Sequence, residues 1–427
     1  MEAVALAEIQ PFEALRFSDK AGSPVDLCCP PYDVISPAVQ AALYERSPYN
    51  VIRLELSTGD NPYESAASTL ERWLDDGILR HDCLPVLYLY QISFRTKDGE
   101  LRSIDGLMAR VKLTPFSEGI VLPHEETLSG PKEDRFKLMC ATGCNFSPVY
   151  SLYRDADNVT GARLAPIYDT KPLLSFDLPP AEGHLGVVTH SFWQIRDEAL
   201  IEALRQDFQP RKLYIADGHH RYETALRYRD HHRCGTSDHC MMLLTNMAHP
   251  GLTVYPTHRL ISNIKNFEPG MPLSALSEVF DIVRHTGADT LETTLAAMQD
   301  SVAYYVGGDE YWTLTLRDSK AVCLSGHGDA YCSLDVTRLH TLILEPLFGI
   351  DAANMANQKN LTYTRDSAEA LDSVRRGDSQ CAFFLNPTKV SEILDVSLAG
   401  EKMPQKSTYF YPKPVTGPIM NDLRVDR

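Results

Sequence analysis

Residues 217–221 read Asp-Gly-His-His-Arg, which places a carboxylate, two imidazoles and a guanidinium within five positions. Before them, 213–216 is an apolar run of strand length; after them, Tyr222, Ala225 and Leu226 recur at helical spacing. The pattern predicts a strand, a turn at Gly218 and a helix. The first backbone N–H groups of such a helix have no partner within it, and the helix dipole adds partial positive charge there. An anion binds readily at that end, phosphate above all. Arg221 suits bidentate contact with phosphate, His219 and His220 are of the type that titrates near neutrality, and Asp217 is an acceptor. A plain Asp-Gly turn with hydrogen-bonded histidines would explain part of this pattern, but not four reactive side chains together.

A second dense polar stretch, His124-Glu125-Glu126-Thr127, precedes a helix read to open at Pro131 and stop at Gly143, with Phe136, Met139 and Cys140 as its buried stripe. Asp134 and Arg135 fall in the first turns of that helix. Position 128 is Leu, so the His-Glu-x-x-His pattern of zinc proteases is absent. The row of imidazole and hard oxygen suits a carboxylate pair that holds Mg²⁺ beside a phosphate, or one that acts as general base; the alternative is a solvated polar loop. Two further stretches join these. Pro30 and Pro31 force an extended backbone that presents Tyr32 and Asp33 rigidly before Ser36 caps a helix starting at Pro37. Residues 403–417 are rich in aromatic, hydroxyl and lysine groups and read either as contacts to an anion or as a β-arm that closes a sheet.

The candidate catalytic groups are therefore Glu125, His124, Asp217 and His219, and the candidate Mg²⁺ ligands are Glu126 and Asp134. Gly218, His220, Arg221, Lys406, Lys413, Arg53 and Arg135 are the candidate contacts to a phosphate-bearing ligand. Arg53 enters because 50–56 alternates as a half-buried strand would, which turns it toward a cleft.

These groups need elements to position them, and 427 residues suffice for two or three domains. A helix is expected over 63–80, with Ala66, Leu70, Trp73 and Leu74 on one face, followed by a hairpin of 85–96 with 101–113. Strands at 149–153, 186–195 and 240–245 and a helix at 197–208 frame the Gly218 turn, while 161–180 reads as an irregular connector. His258-Arg259 reads as surface decoration, or as one more phosphate-facing pair. Near 266 the texture changes to helical patterns at 273–280 and 291–298 and short strands at 302–306, 312–317 and 321–324. The expected division is 1–265, carrying the His124 and Asp217 stretches, and a C-terminal α+β region, 266–427, whose tail returns to the site.

A net charge of −16 argues against nonspecific nucleic-acid wrapping or an anionic membrane surface, so a phosphate site must be locally cationic. The ten cysteines include no Cys-x-x-Cys pair, and reduced buried thiols are the better reading than zinc at Cys140 and Cys144. No apolar run reaches a membrane span, and Glu2 and Glu8 stand where a leader would be basic, so a cytoplasmic protein is expected.

The stretches Pro30-Pro-Tyr-Asp-Val-Ile-Ser36, His124-Glu-Glu-Thr127 with Asp134-Arg135, Asp217-Gly-His-His-Arg-Tyr222, and Met403-Pro-Gln-Lys-Ser-Thr-Tyr-Phe-Tyr-Pro-Lys413 resemble, in order, the bacterial and archaeal family DUF1015, which has no settled activity. Gly218 and Arg221 also resemble the Gly-x-x-Arg turn of the ParB/sulfiredoxin superfamily, which includes free-serine kinases and CTP-binding partition proteins. That second resemblance covers only the central unit. It implies an α+β fold of mixed sheets and packed helices around a ParB/sulfiredoxin-like strand-turn-helix unit. It also implies a nucleotide (ATP, ADP or CTP) on the turn and phosphoryl transfer to or from a small hydroxyl compound such as serine. A phosphatase acting on a phosphoserine-like metabolite, and a nucleotide-binding switch without turnover, stay open beside it. No Walker A sequence is present, so nucleotide binding would use another architecture, and no helix-turn-helix with a basic stripe supports a DNA-partition role.

Overall fold

The hairpin read at 85–113 forms and anchors the larger sheet: Leu87–Arg95 and Leu101–Lys112 pair antiparallel from Arg95 opposite Leu101 to Tyr88 opposite Met108. The computed structural model describes residues 6–127, 129–179, 186–232, 236–318, 326–357 and 359–424. These form two mixed α+β units, one drawn from Met1–Pro123, Thr127–Leu252 and Pro412–Arg427, the other from His124–Glu126 and Thr253–Tyr411. Among the described residues no helix is long and apolar enough to cross a membrane.

In the first unit the sheet runs Val121–Leu122, Leu213–Asp217, Val149–Tyr153, His239–Asn246, the hairpin in the order Leu101–Lys112 then Leu87–Arg95, Val188–Ile195 and Leu174–Leu178. His239–Asn246 is buried at every position because it lies inside the sheet with both faces covered, parallel to Val149–Tyr153 and antiparallel to Leu101–Lys112. Leu213–Asp217 pairs antiparallel with Val149–Tyr153 and parallel with Val121–Leu122. The helices Ser129–Thr142 and His219–His231 pack on each other beside this sheet. Pro62–Asp75 buries Ala66, Leu70 and Trp73 as its spacing predicts. Ser36 accepts from the Val39 N–H and caps Pro37–Arg46.

Three elements differ from the sequence reading. Residues 50–56 are not a strand: Ile52–Glu55 is a helical turn. The buried Asn50 side chain accepts from the Ile52 N–H and donates to the Asp26 and Cys28 carbonyls, and so turns a chain that period-2 alternation had drawn straight. The stretch 161–180 is no plain connector, since it carries most of a helix, Val159–Leu164, and the strand Leu174–Leu178. The helix expected from Pro131 begins at Ser129, and its buried face is Arg135, Leu138, Met139 and Thr142 rather than Phe136 and Cys140.

The second unit holds a six-stranded sheet ordered Phe280–Thr286, Glu310–Leu316, Ser301–Tyr305, Cys381–Phe384, His258–Ile261 and Leu361–Thr364. Helices absent from the sequence reading, among them Ser367–Arg376 and Val390–Leu398, belong to this unit. Thr253–Tyr255 pairs with Tyr409–Tyr411, so the aromatic part of the tail is a strand. The strand expected at 321–324 lies outside the described residues.

Gly106 tests the packing of the larger sheet. A Cβ there would meet Leu243 Cδ1 and Thr245 Oγ1 at 2.6 Å and the Leu244 carbonyl at 2.9 Å. Gly106→Ala is expected to cost about 1–3 kcal/mol by overpacking, read as a lower midpoint in urea unfolding at unchanged slope.

Candidate functional site

The strand Leu213–Asp217 carries Asp217 at its last position, where the register against Val149–Tyr153 shifts between Ile215 and Asp217. Such an irregularity re-aims the side chain that follows it. Gly218 then takes φ +94°, in the left-handed region that favours glycine, and His219–His231 begins. His219 is buried and His220 half-buried at the first two helical positions.

Arg221 folds back over this turn. Its Nη2 donates to Asp217 Oδ2 at 2.5 Å, and its Nη1 donates to Ser147 Oγ at 3.1 Å and to the Pro148 carbonyl. The guanidinium lies so close to Gly218 that a Cβ there would sit 2.9 Å from Arg221 Nε and Nη2. The Arg221 Nε is buried and has no hydrogen-bond partner among the described residues. The second Asp217 oxygen accepts from Lys413 Nζ at 2.7 Å, and Lys413 donates again to Asp33 Oδ2 at 2.6 Å. Asp217 therefore stands between two cations, one from the following helix and one from residue 413.

A second cationic group of the same unit is centred on Arg135, which is 7% exposed. Its Nη1 donates to the Glu55 carbonyl at 2.9 Å and to the Glu55 carboxylate at 3.3 Å, and its Nε and Nη2 donate to Asp134 Oδ2 at 2.8 and 2.6 Å. The guanidinium carbon lies 4.4 Å from the Tyr32 ring centre. Burial lifts the Glu55 carboxyl above the usual range, while Arg135 and Arg221 pull against it. Burial likewise opposes the Arg135 charge, but Glu55 and Asp134 outweigh it and hold the guanidinium protonated. Arg135, Arg221 and Glu55 line one cavity of about 50 Å³, room for a few waters or a small anion and far less than a nucleotide.

In the second unit His124 is fully buried, its Nε2 2.9 Å from Thr408 Oγ1. Residues 403–406 run beside 124–126: the Met403 N–H donates to the His124 carbonyl at 2.7 Å, the Glu126 N–H donates to the Met403 carbonyl at 3.3 Å, and the Lys406 N–H donates to Glu125 Oε1 at 2.8 Å. Lys406 has φ +57°, a strained value for a side-chain-bearing residue, and the bond to Glu125 helps hold it. Glu126 is exposed.

The structure thus gathers Asp217, Gly218, Arg221 and Lys413 with Asp33 in one group, places Arg135 and Asp134 in a second group of that unit, and gathers His124, Glu125 and Lys406 in the other unit. Arg53 joins none of these. Its guanidinium donates to the Tyr44 and Ser47 carbonyls at 2.8 and 3.4 Å and stacks on the Tyr44 ring, because the helical turn Ile52–Glu55 aims it there. Asp134 is a poor metal ligand: one oxygen accepts from Tyr63 at 2.8 Å and the other from Arg135. Among the described residues no three His, Cys, Asp or Glu side chains are grouped to hold a metal ion, so the donor set does not build a Mg²⁺ cage. Glu55 escaped the sequence reading because a strand would have set it beside Arg53, whereas the helical turn turns it inward to Arg135.

The model of the family described as "Protein of unknown function (DUF1015)" matches residues 9–337, and the chain belongs to that family. No curated protein matches the chain. Among solved structures, a substituted free serine kinase in complex with AMP is 12% identical, with TM-score 0.40, covering 75% of this chain and 91% of that one. A conserved hypothetical protein from Pyrococcus furiosus is 13% identical, with TM-score 0.35, covering 71% and 91%. SbnI from Staphylococcus aureus, truncated at its C-terminus, is 10% identical, with TM-score 0.36, covering 74% and 90%.

The Lys413 side chain is 7% exposed between two carboxylates. Lys413→Met should destabilise the protein by about 3 kcal/mol, the low end for breaking a buried pair because Asp33 keeps access to water. Lys389, an exposed lysine 4.0 Å from Glu392, is the control: Lys389→Met should cost under about 1 kcal/mol in the same urea titration.

Proposed function

We propose that the first unit binds the phosphate of a nucleotide at the start of His219–His231, and that the protein transfers a phosphoryl group between that nucleotide and a small hydroxyl compound of the serine or phosphoserine kind. The observation that carries this reading is Arg221: a guanidinium laid over Gly218 at a helix start, with a buried Nε that no described group satisfies. Backbone N–H groups, helix dipole and a planar cation then act on one anion. The Gly-x-x-Arg likeness of 218–221 to nucleotide-binding turns supports the same ligand, and the free-serine kinases of that superfamily support the acceptor.

Asp217, with both oxygens in ion pairs, is assigned to holding Arg221 and Lys413 in place rather than to taking a proton. Glu125 belongs to the second unit, where it is half-buried and steadied by the Lys406 N–H, and the general-base role read for it in the sequence is tested by itself. Mg²⁺ would come carried on the nucleotide phosphates, since such an ion needs only one or two protein carboxylates.

One observation favours the second reading, a nucleotide-binding switch. The carboxylates of the Arg221 and Arg135 groups, Asp33, Asp217, Asp134 and Glu55, are all in ion pairs, so those groups offer cations for binding and no ready base. Incubation with ATP, ADP or CTP and a panel of hydroxyl metabolites separates the two, since a switch binds and leaves the metabolites unchanged.

Arg221→Ala should weaken nucleotide binding tenfold or more, as loss of a charge-assisted contact of roughly 1.5–3 kcal/mol predicts. Arg221→Lys should restore only part of it, because an ammonium cannot make the planar contact. Titration calorimetry that finds unchanged affinity in a folded Ala variant removes the assignment. For Glu125, a general base predicts that Glu125→Gln lowers turnover by about 10² to 10⁴ with substrate affinity nearly unchanged, and a wild-type rate takes Glu125 out of the reaction.

A further inference from the structure

The second unit contains a cavity of about 320 Å³, at the low end of the sizes that hold a small molecule. Arg259 lines it from His258–Ile261, an inner strand of the six-stranded sheet, and is 1% exposed. The pair read as surface decoration is therefore buried. Arg259 Nη1 donates to the Thr257 carbonyl, and the guanidinium carbon lies 5.2 Å from the Tyr363 ring centre. The Nε and Nη2 have no hydrogen-bond partner among the described residues. Burial lowers the Arg259 pKa to about 10, against the pull of Tyr363 and of Glu125. Burial, helped by repulsion from Arg259, lowers that of His340 to about 3, so the ring stays neutral and adds no second positive charge. A buried cation with two N–H groups left unbonded is costly to the fold.

The same cavity holds the opposite imbalance. Asp335 lines it together with Asp300 and Glu392; Arg338, 3.5 Å from Asp335, also binds Asp300, and Lys389 adds a weaker pull. Burial pushes the Asp335 carboxyl up to about 6, with Glu392 and Asp300 adding repulsion against the pull of Arg338. The remaining charged group of the lining, Lys389, is exposed. A simple anion would answer Arg259 but would add to the repulsion among three carboxylates; a simple amine would do the reverse. We propose that the second unit binds a small zwitterion of amino-acid type, its anionic group on Arg259 and its ammonium group on Asp335. This proposal does not rest on the nucleotide reading of the first unit.

The test uses the full chain without nucleotide, the twenty L-amino acids, and thermal unfolding followed by titration calorimetry. At least one amino acid should raise Tm, and its desamino acid and its decarboxylated amine should each bind at least tenfold more weakly. Arg259→Met, apolar and of similar length, should lose at least tenfold in affinity for the amino acid. Asp335→Asn should lose as much, while leaving the affinity for the desamino acid within twofold. Should Arg259→Met fail to fold, Arg259→Lys and Asp335→Asn decide the matter by the same criterion. The proposal is overturned if no amino acid binds, if acetate stabilises the protein as much as the amino acid does, or if the folded variants bind as wild type does.

Discussion

The first unit depends on one carboxylate. Asp217 ends an inner strand of the larger sheet, and its two oxygens join a cation from the following helix to a cation from residue 413, near the end of the chain. A charge of this kind holds elements together because leaving any member unpaired in a poorly hydrated place costs more than the pairing gained. The turn geometry follows from it. Only a glycine at 218 lets the Arg221 guanidinium lie against the backbone, and only that approach brings Nη2 onto Asp217 while Nη1 reaches the Pro148 carbonyl at the edge of the neighbouring strand. The final segment is fastened at several points besides Lys413: the Val415 N–H donates to the Tyr90 hydroxyl, and Met420 exchanges backbone bonds with Leu15.

What the sequence made legible has a physical pattern. Elements whose side-chain period is set by one buried face were readable, as with the Leu87–Arg95 and Leu101–Lys112 hairpin and the amphipathic helix Pro62–Asp75. The strand-turn-helix at Gly218 was readable because apolar run, glycine and helical spacing agree. Residues 50–56 were not, since six alternating residues fit a strand or a single helical turn equally, and the choice rests on Asn50 reaching two carbonyls more than twenty residues earlier. Arg259 was misjudged for a related reason. Charge says nothing of depth, and all four residues of His258–Ile261 are buried, so no alternation marks the strand. At the candidate site the residue types were legible and their commitments were not: Arg135 is plainly a cation in sequence, but Glu55, eighty positions away, is what fixes it.

Those commitments separate two kinds of charged group that sequence cannot tell apart. Around Asp217 the charges close on one another, and the group is complete without a ligand except for one buried N–H of Arg221. A complete network positions; its open donor is where a ligand gains something new. In the second unit the balance is reversed, with Arg259 and Asp335 lining one cavity, two N–H groups of Arg259 unbonded and the Arg338 beside Asp335 shared with Asp300. Natural interiors leave few polar groups unsatisfied, because an unmade bond in a low-dielectric site costs about 1–3 kcal/mol and a bare charge more. The protein carries that cost at Arg259 in a place built with room beside it. A fold that needed only stability would have placed an apolar side chain on the inner strand, and the retained guanidinium is therefore best understood as a recognition group.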